Sequence, residues 1–251
     1  MRKLSFLIIF SMSTLILRAQ DSYIKEYYEL RTYSIPYNGS EEDLHNYFEY
    51  ALLPALNKAG IKDIGVFEAI GEPTPKKLFL FIPYRDITTY GKIVQTLAND
   101  KEYLNKRKIY DAVPHDQRVY TRFSTSFFIA FDSLPKLIKP GAKAKLFELR
   151  TYEGYSEDAV RRKVKMFNEE ELDLFEDTGL HSVFFGEQIA GPLMPALTYM
   201  LAFNSMEERN KNWKKFIVHP EWKRMSSLSK YAHTVSDIKR IFLRPLSYSQ
   251  L

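Results

Sequence analysis

The chain has 251 residues, 45% of them hydrophobic and 27% charged, with 36 Lys and Arg against 31 Asp and Glu and no cysteine. The missing cysteine excludes disulfides, thiolate catalysis and cysteine-held metals. Arg2, Lys3 and Arg18 lie in an N-terminal stretch that reads as removable; 36 basic residues less these three leave 33 against 31 acidic, a net of +2, which does not support nucleic-acid binding, for which a concentrated basic face is needed.

That N-terminal stretch comes first in the chain. Arg2-Lys3, an apolar run over residues 4–17, and Arg18-Ala19-Gln20 make a secretory signal pattern, too short and too weakly flanked for a good membrane span. Cleavage after Ala19 is expected, with a retained N-terminal anchor as the alternative. The working protein is then exported, periplasmic or extracellular, with no stable membrane insertion once the signal is gone. Without a cysteine, lipid attachment at the mature N-terminus is not available.

A strand is expected over 27–33, and its Glu29-Leu30-Arg31-Thr32-Tyr33 returns unchanged as Glu148-Leu149-Arg150-Thr151-Tyr152, 119 residues later. The same offset, without gaps, pairs Phe48 with Phe167, Gly60 with Gly179, Glu68 with Glu187, Pro73 with Pro192 and Phe123 with Phe242. Self-similarity at a fixed spacing marks a duplicated unit. The expected division is a signal at 1–19, a first domain at 24–131, a linker at 132–145 and a second domain at 146–251.

Within the first unit, Ser40 stands as N-cap of a helix carrying Leu44, Phe48, Ala51, Leu52 and Leu56 at three-to-four spacing, closed by Gly60. Strands over 64–70 and 78–84 follow, separated by the Gly71-Glu72-Pro73 turn signal, then broken helix over 86–108 and a strand over 119–131. The second unit repeats the order: Ser156 caps a helix closed by Gly179, strands cover 183–189 and 197–203, and Pro220 divides the next helical run before a strand over 238–243. Charge runs at 101–108 and 161–165 read as solvated helix faces.

This β-α-β-β-α-β order predicts an α+β protein of two tandem ferredoxin-like domains, each an antiparallel sheet with helices on one face. The bare faces then meet within one chain as an intramolecular, pseudo-dimeric α+β barrel. By alternation, Glu29, Arg31 and Tyr33 share one face of the first strand and Glu148, Arg150 and Tyr152 the same face of its copy. The expectation is that they project into a lumen between the sheets. There they either form an ion-pair network fixing the halves in register, or present guanidinium and phenol groups to an anionic or carbonyl-bearing ligand. Glu68 and Glu187, matched on the second strand of each unit, join them as ligand-binding candidates and as a carboxylate pair for acid–base work. No spacing resembles a metal site, a phosphate loop or a nucleophile elbow. His45 is a candidate haem ligand without a counterpart, since Val164 stands at the offset position.

Tyr28-Glu29-Leu30-Arg31-Thr32-Tyr33, the Gly60…Glu68…Gly71-Glu72-Pro73 segment and Pro220-Glu221-Trp222 together resemble the NIPSNAP family, over nearly the whole mature chain. The resemblance implies a dimeric α+β barrel, a superfamily that includes cofactor-independent monooxygenases, haem-degrading enzymes and stress-responsive binding proteins. It carries no agreed catalytic residues. Three functions follow as expectations: binding of a small organic ligand between the repeats, with no cofactor expected; a cofactor-independent or haem-dependent monooxygenase-type enzyme; or a non-catalytic protein-interaction module. A small molecule is the expected partner, nucleic acid is not, and assembly into a homo-oligomer is compatible with each.

Overall fold

A computed structural model of the protein describes residues 25–71 and 74–251. The expected signal, the first residue of the expected domain at 24–131 and the Glu72-Pro73 step of the turn lie outside the described residues. In the first half, β1 (Tyr27–Ile35) leads to a helix α1 over 41–58, then β2 (Gly65–Ala69) and β3 (Lys76–Tyr84). Helices α2 (Ile87–Asn99), α3 (Lys101–Lys106) and α4 (Lys108–Asp111) precede β4 (Arg122–Ala130). The second half runs β5 (Leu146–Glu153), α5 over 157–178, β6 (His181–Ala190), β7 (Ala196–Phe203), α6 (Met206–Val218), α7 (Pro220–Ser226) and β8 (Asp237–Pro245). Among the described residues no helix is long and apolar enough to cross a membrane.

Local chemistry sets the helix ends. Asp86, Ser156 and Ser205 are extended and accept the N–H groups of Thr89, Ala159 and Glu208, three residues on. Ser40 departs from expectation: its hydroxyl donates to the Asp43 carboxylate and makes no bond to the helix backbone. Gly60 and Gly179 end α1 and α5 with φ of 91° and 78°, a region only glycine enters without strain.

The strands are antiparallel and close into one eight-stranded barrel in the order β1-β3-β2-β8-β5-β7-β6-β4, with β4 returning to β1. Each half supplies four adjacent strands. The halves are therefore hydrogen-bonded edge to edge at two seams, which leaves no sheet edge free. At one seam Phe67, Glu68 and Ala69 pair with Pro245, Arg244 and Leu243; at the other, β4 pairs with β6 around Gly186, where an added Cβ would stand 2.6 Å from that of Phe128. The last residues extend the first seam, with Leu246 and Gln250 donating to the carbonyls of Val66 and Ile64.

Three apolar layers result. The helices of each half cover the outer face of their own strands, α1 over Val66, Leu78 and Leu80, and α5 and α6 over Phe185, Leu197 and Tyr199. The third layer is the barrel interior, drawn from both halves. Phe81 stacks on Phe184 with ring centres 4.6 Å apart, Tyr28 lies 5.2 Å from Phe184, and Phe67 lies 4.8 Å from Phe147.

Candidate functional site

The interior packing corrects the expected position of the repeated charges. On β1 it is Tyr28 and Leu30 that enter the barrel, while Glu29, Arg31 and Tyr33 lie beneath the helices, in register with Ile82, Leu80 and Leu78. On β5, likewise, Phe147 and Leu149 face inward and Glu148, Arg150 and Tyr152 outward under the helical layer. The physical reason is hydrogen bonding. The interior is mainly aromatic and aliphatic, its polar groups being neutral ones such as Gln188, Thr151 and Thr198, whereas the helical side supplies charged and aromatic donors to the carboxylates. The repeated charges therefore do not line a lumen between the repeats, and the middle of the barrel is apolar core.

In the first repeat the charges satisfy one another. Arg31 clasps Glu29 through Nε (2.6 Å) and Nη2 (3.2 Å), and the Tyr84 hydroxyl donates to the same carboxylate at 2.7 Å. Burial alone would lower the Arg31 guanidinium, but Glu29 carries it above its ordinary value. Tyr33 packs on Phe123, Phe48 and Tyr120, and burial raises its phenol. Tyr47 and Tyr103 bond hydroxyl to hydroxyl at 2.7 Å, and Tyr47 stacks on Tyr110. This is an ion-pair network, but one confined to the first repeat and not one that fixes the two halves in register.

The second repeat uses the same strand motif differently. Glu148 is fully buried, and its carboxylate is taken by a second arginine: Arg209 on α6 donates through Nε (2.8 Å) and Nη2 (2.7 Å), and Trp213, one turn on, donates Nε1 at 2.8 Å. Arg150 keeps one long bond to Glu148, from Nη1 at 3.4 Å, and its buried Nε has no partner among the described residues. Its guanidinium lies over the Trp213 ring, 4.4 Å from the centre. The position equivalent to Arg209 in the first repeat is Tyr90, which is why Arg31 still holds its own glutamate.

Freed in this way, Arg150 lines an open cavity of about 660 Å³ formed by residues of β5, β8, α5, α6 and α7 and the loop before β8 in the second repeat. Its walls include Trp213, Trp222, Phe216 and Tyr231, and Arg240 of β8 stands in register beside Arg150. At the α5 side is a buried ion pair, Lys163 Nζ to Glu171 at 2.6 Å, with the ammonium 4.4 Å from the centre of the Phe167 ring. Eight residues apart on an ideal α-helix would sit roughly 80° out of line. The π-helical turn Phe167–Glu171 winds in an extra residue and brings the two onto one face. Burial raises the Glu171 carboxyl, opposed by Lys163. Tyr152 and Tyr199 share a hydroxyl–hydroxyl bond of 2.9 Å, and burial raises both phenols.

Arg209, Trp213, Lys163 and Glu171 escaped the sequence reading. Lys163 was signalled, since it lies on the helix face of Val160 and Phe167, but it sits inside the charge run at 161–165, of which only its neighbours reach solvent. In the first repeat the offset positions hold Leu44 and Leu52.

The remaining candidates are not drawn into this cavity. Glu68 faces outward and is held by Arg244 across the seam (2.7 Å) and by Lys76 (3.3 Å). Glu187 is half-buried on β6, in register with Leu197, and does not line the cavity. Each lies two strands from the tyrosine of its repeat, so the pair does not assemble as acid and base. His45, the candidate haem ligand, has both ring nitrogens in contact, Nδ1 with the Tyr248 hydroxyl at 2.5 Å and Nε2 with Glu41 at 3.1 Å. Among the described residues no group of His, Asp and Glu side chains could hold a metal ion.

Comparison with known proteins places this geometry. Residues 147–250 match the sequence profile of the NIPSNAP family. No curated protein matches the chain. Among solved structures, a candidate monooxygenase from Lactobacillus acidophilus NCFM is similar over 88% of this chain and 94% of its own, at 11% identity and a TM-score of 0.57. One from Fusobacterium nucleatum subsp. nucleatum ATCC 25586 aligns over 90% of this chain and 94% of its own, at 11% identity and a TM-score of 0.55. A NIPSNAP family protein of unknown function from Agrobacterium tumefaciens str. C58 aligns over 45% of this chain and 99% of its own, at 19% identity and a TM-score of 0.39. At 11% identity the likeness to the first two is one of fold alone.

Proposed function

We propose that this chain, whose second repeat belongs to the NIPSNAP family, binds a small organic molecule with an anionic or carbonyl group in the cavity beneath α6 and α7. The observation that carries the reading is the displacement of Arg150 from Glu148 by Arg209 and Trp213. A buried strand arginine left with an unpaired Nε and one long bond, on the wall of an aromatic cavity, is a group prepared for an outside partner. The first repeat, where Arg31 is fully engaged by Glu29, is scaffold in this reading. Each repeat is taken as one ferredoxin-like domain, so that the chain stands for the two subunits of a dimeric α+β barrel. Export after removal of residues 1–19 belongs to the same proposal, and N-terminal sequencing of the protein made in a bacterial host tests it.

The chain has two tryptophans, Trp213 and Trp222, and both line this cavity. Intrinsic fluorescence is therefore a local reporter. Titration with a panel of small organic acids and ketones should change the emission at saturating ligand, and Arg150→Gln should abolish the change while Arg31→Gln leaves it intact. Emission that no compound alters, or a response insensitive to Arg150→Gln, counts against the proposal.

A second reading follows from the names of the two fold relatives: the bound molecule is oxidised by dioxygen in this cavity. Tyr152, which lines the cavity and whose hydroxyl is bonded to that of the buried Tyr199 behind it, favours it as the phenol nearest a reacting carbonyl. Oxygen uptake in the presence of a compound found to bind tests it; binding without uptake leaves a binding protein.

A further inference from the structure

Resting on the cavity being the binding site, a narrower conclusion concerns what it selects. Four cationic side chains line it, Arg150, Lys163, Arg209 and Arg240. Two are committed: Arg209 to Glu148 and the Asn210 side chain, Lys163 to Glu171. The other two stand directly opposite each other on β5 and β8. Arg240 has the Phe242 ring beside it, 5.4 Å from the centre, and no ion pair among the described residues. Like charges at facing positions on neighbouring strands repel, and their side chains begin roughly 5 Å apart. One planar anion with two oxygens bridges such a pair and removes the repulsion. Next to these two guanidiniums the wall has an apolar and aromatic part, with Trp222 packed 4.7 Å from Phe216 and with Tyr231, Val235 and Ile238 on the same lining, alongside the polar Ser226, His233 and Thr234.

We infer that the ligand is an aromatic carboxylic acid of one or two rings, its carboxylate bridging Arg150 and Arg240 and its ring against Trp222 and Phe216. Arg240 then sets specificity for the charge. Phosphate is the competing anion for an arginine pair, but it leaves the aromatic wall without use, and it enters the test as a separate arm.

Isothermal titration calorimetry of the full chain with 2-naphthoate, its neutral analogue 2-naphthamide and inorganic phosphate decides the matter. The acid should bind about tenfold or more tightly than the amide, the discrimination expected when one charge-assisted contact is lost. Arg240→Gln should bring the acid down to the affinity of the amide while leaving the amide unchanged, a readout that misfolding would not produce. Phosphate should neither bind nor displace naphthoate. Equal binding of acid and amide, or an Arg240→Gln protein that still prefers the acid, overturns the inference but leaves the cavity as a ligand site. Displacement by phosphate overturns it in favour of a phosphate site. Failure of both naphthyl compounds to bind overturns the inference, while the reading beneath it falls only if the wider panel of organic acids and ketones also leaves the tryptophan emission unchanged.

Discussion

Lys163→Leu gives the second repeat the residue that the first carries at the same point, Leu44, and leaves Glu171 buried without its 2.6 Å partner. Removing one member of a buried ion pair costs roughly 3–5 kcal/mol, because the other charge stays in the core uncompensated. For a chain of this size each kcal/mol moves the melting midpoint by roughly 2–4 °C, so the fall at neutral pH should be on the order of 6–20 °C. The pH dependence has a definite sign. Burial already raises the Glu171 carboxyl, and Lys163 opposes that rise; without the lysine the carboxyl rises further. A raised carboxyl stabilises the fold while protonated and loses that contribution as pH climbs through its folded pKa. The deficit of Lys163→Leu should therefore be smallest in acid, below the ordinary glutamate range, and widen toward neutral pH. The double variant Lys163→Leu/Glu171→Leu reproduces Leu44 and Leu52 and should recover most of the loss, since well-packed apolar replacements of buried ion pairs are often neutral or better. Calorimetric melts of the wild type, both single variants and the double, in acid and at neutral pH, give the answer. A Lys163→Leu protein that melts with the wild type at neutral pH, or a double variant no better than the single, refutes the reasoning.

Three further predictions bear on other parts of the account. Arg209→Met should return the Glu148 carboxylate to Arg150, in the manner of Arg31 and Glu29, and weaken ligand binding by about an order of magnitude, equivalent to roughly 1.4 kcal/mol; undiminished affinity by tryptophan fluorescence contradicts it. Gly186→Val should destabilise the β4–β6 seam by roughly 1–3 kcal/mol through collision with Phe128, visible as a lower denaturant midpoint, whereas an unchanged midpoint speaks against a closed barrel. Glu170 is held down to about 2 by Arg224 on α7 and by Tyr231, and so ties the cavity rim to α5. Because that pKa is depressed, the stability it lends is present above the ordinary glutamate range and lost as pH falls through about 2. Glu170→Gln should accordingly melt slightly below the wild type at neutral pH, with the gap closing at the acid end. A gap that persists undiminished there argues against the tie.

Much of the architecture was legible because duplication exposes it. The exact pentapeptide, the paired glycines Gly60 and Gly179, the cap at Ser156 and the helix break at Pro220 locate the strands and helices of both halves. What alternation could not decide was which face of each strand turns inward. β3 and β7 are apolar on both faces, from Leu78 to Ile82 and from Leu197 to Phe203, so hydrophobicity gives no preference. Alternation placed Glu29 and Arg31 toward a lumen between the sheets; under the helices the Glu29–Arg31 pair and the Glu148 carboxylate are completed by partners distant in sequence. Tyr84 comes from β3, and Arg209 and Trp213 from α6. The functional difference between the repeats was written at offset positions, Tyr90 against Arg209 and Leu44 against Lys163, but without the three-dimensional neighbours these are unremarkable substitutions. The docking of the C-terminal residues on β2, through Leu246 and Gln250, has no sequence signature at all.

A crystal structure of the protein soaked with 2-naphthoate tests the central claim most directly. The account predicts ligand density at the Arg150 and Arg240 side chains of the second repeat, under Trp222, with the Arg31–Glu29 clasp of the first repeat undisturbed. Density among Phe81 and Phe184 inside the barrel, or at the first repeat alone, would contradict it.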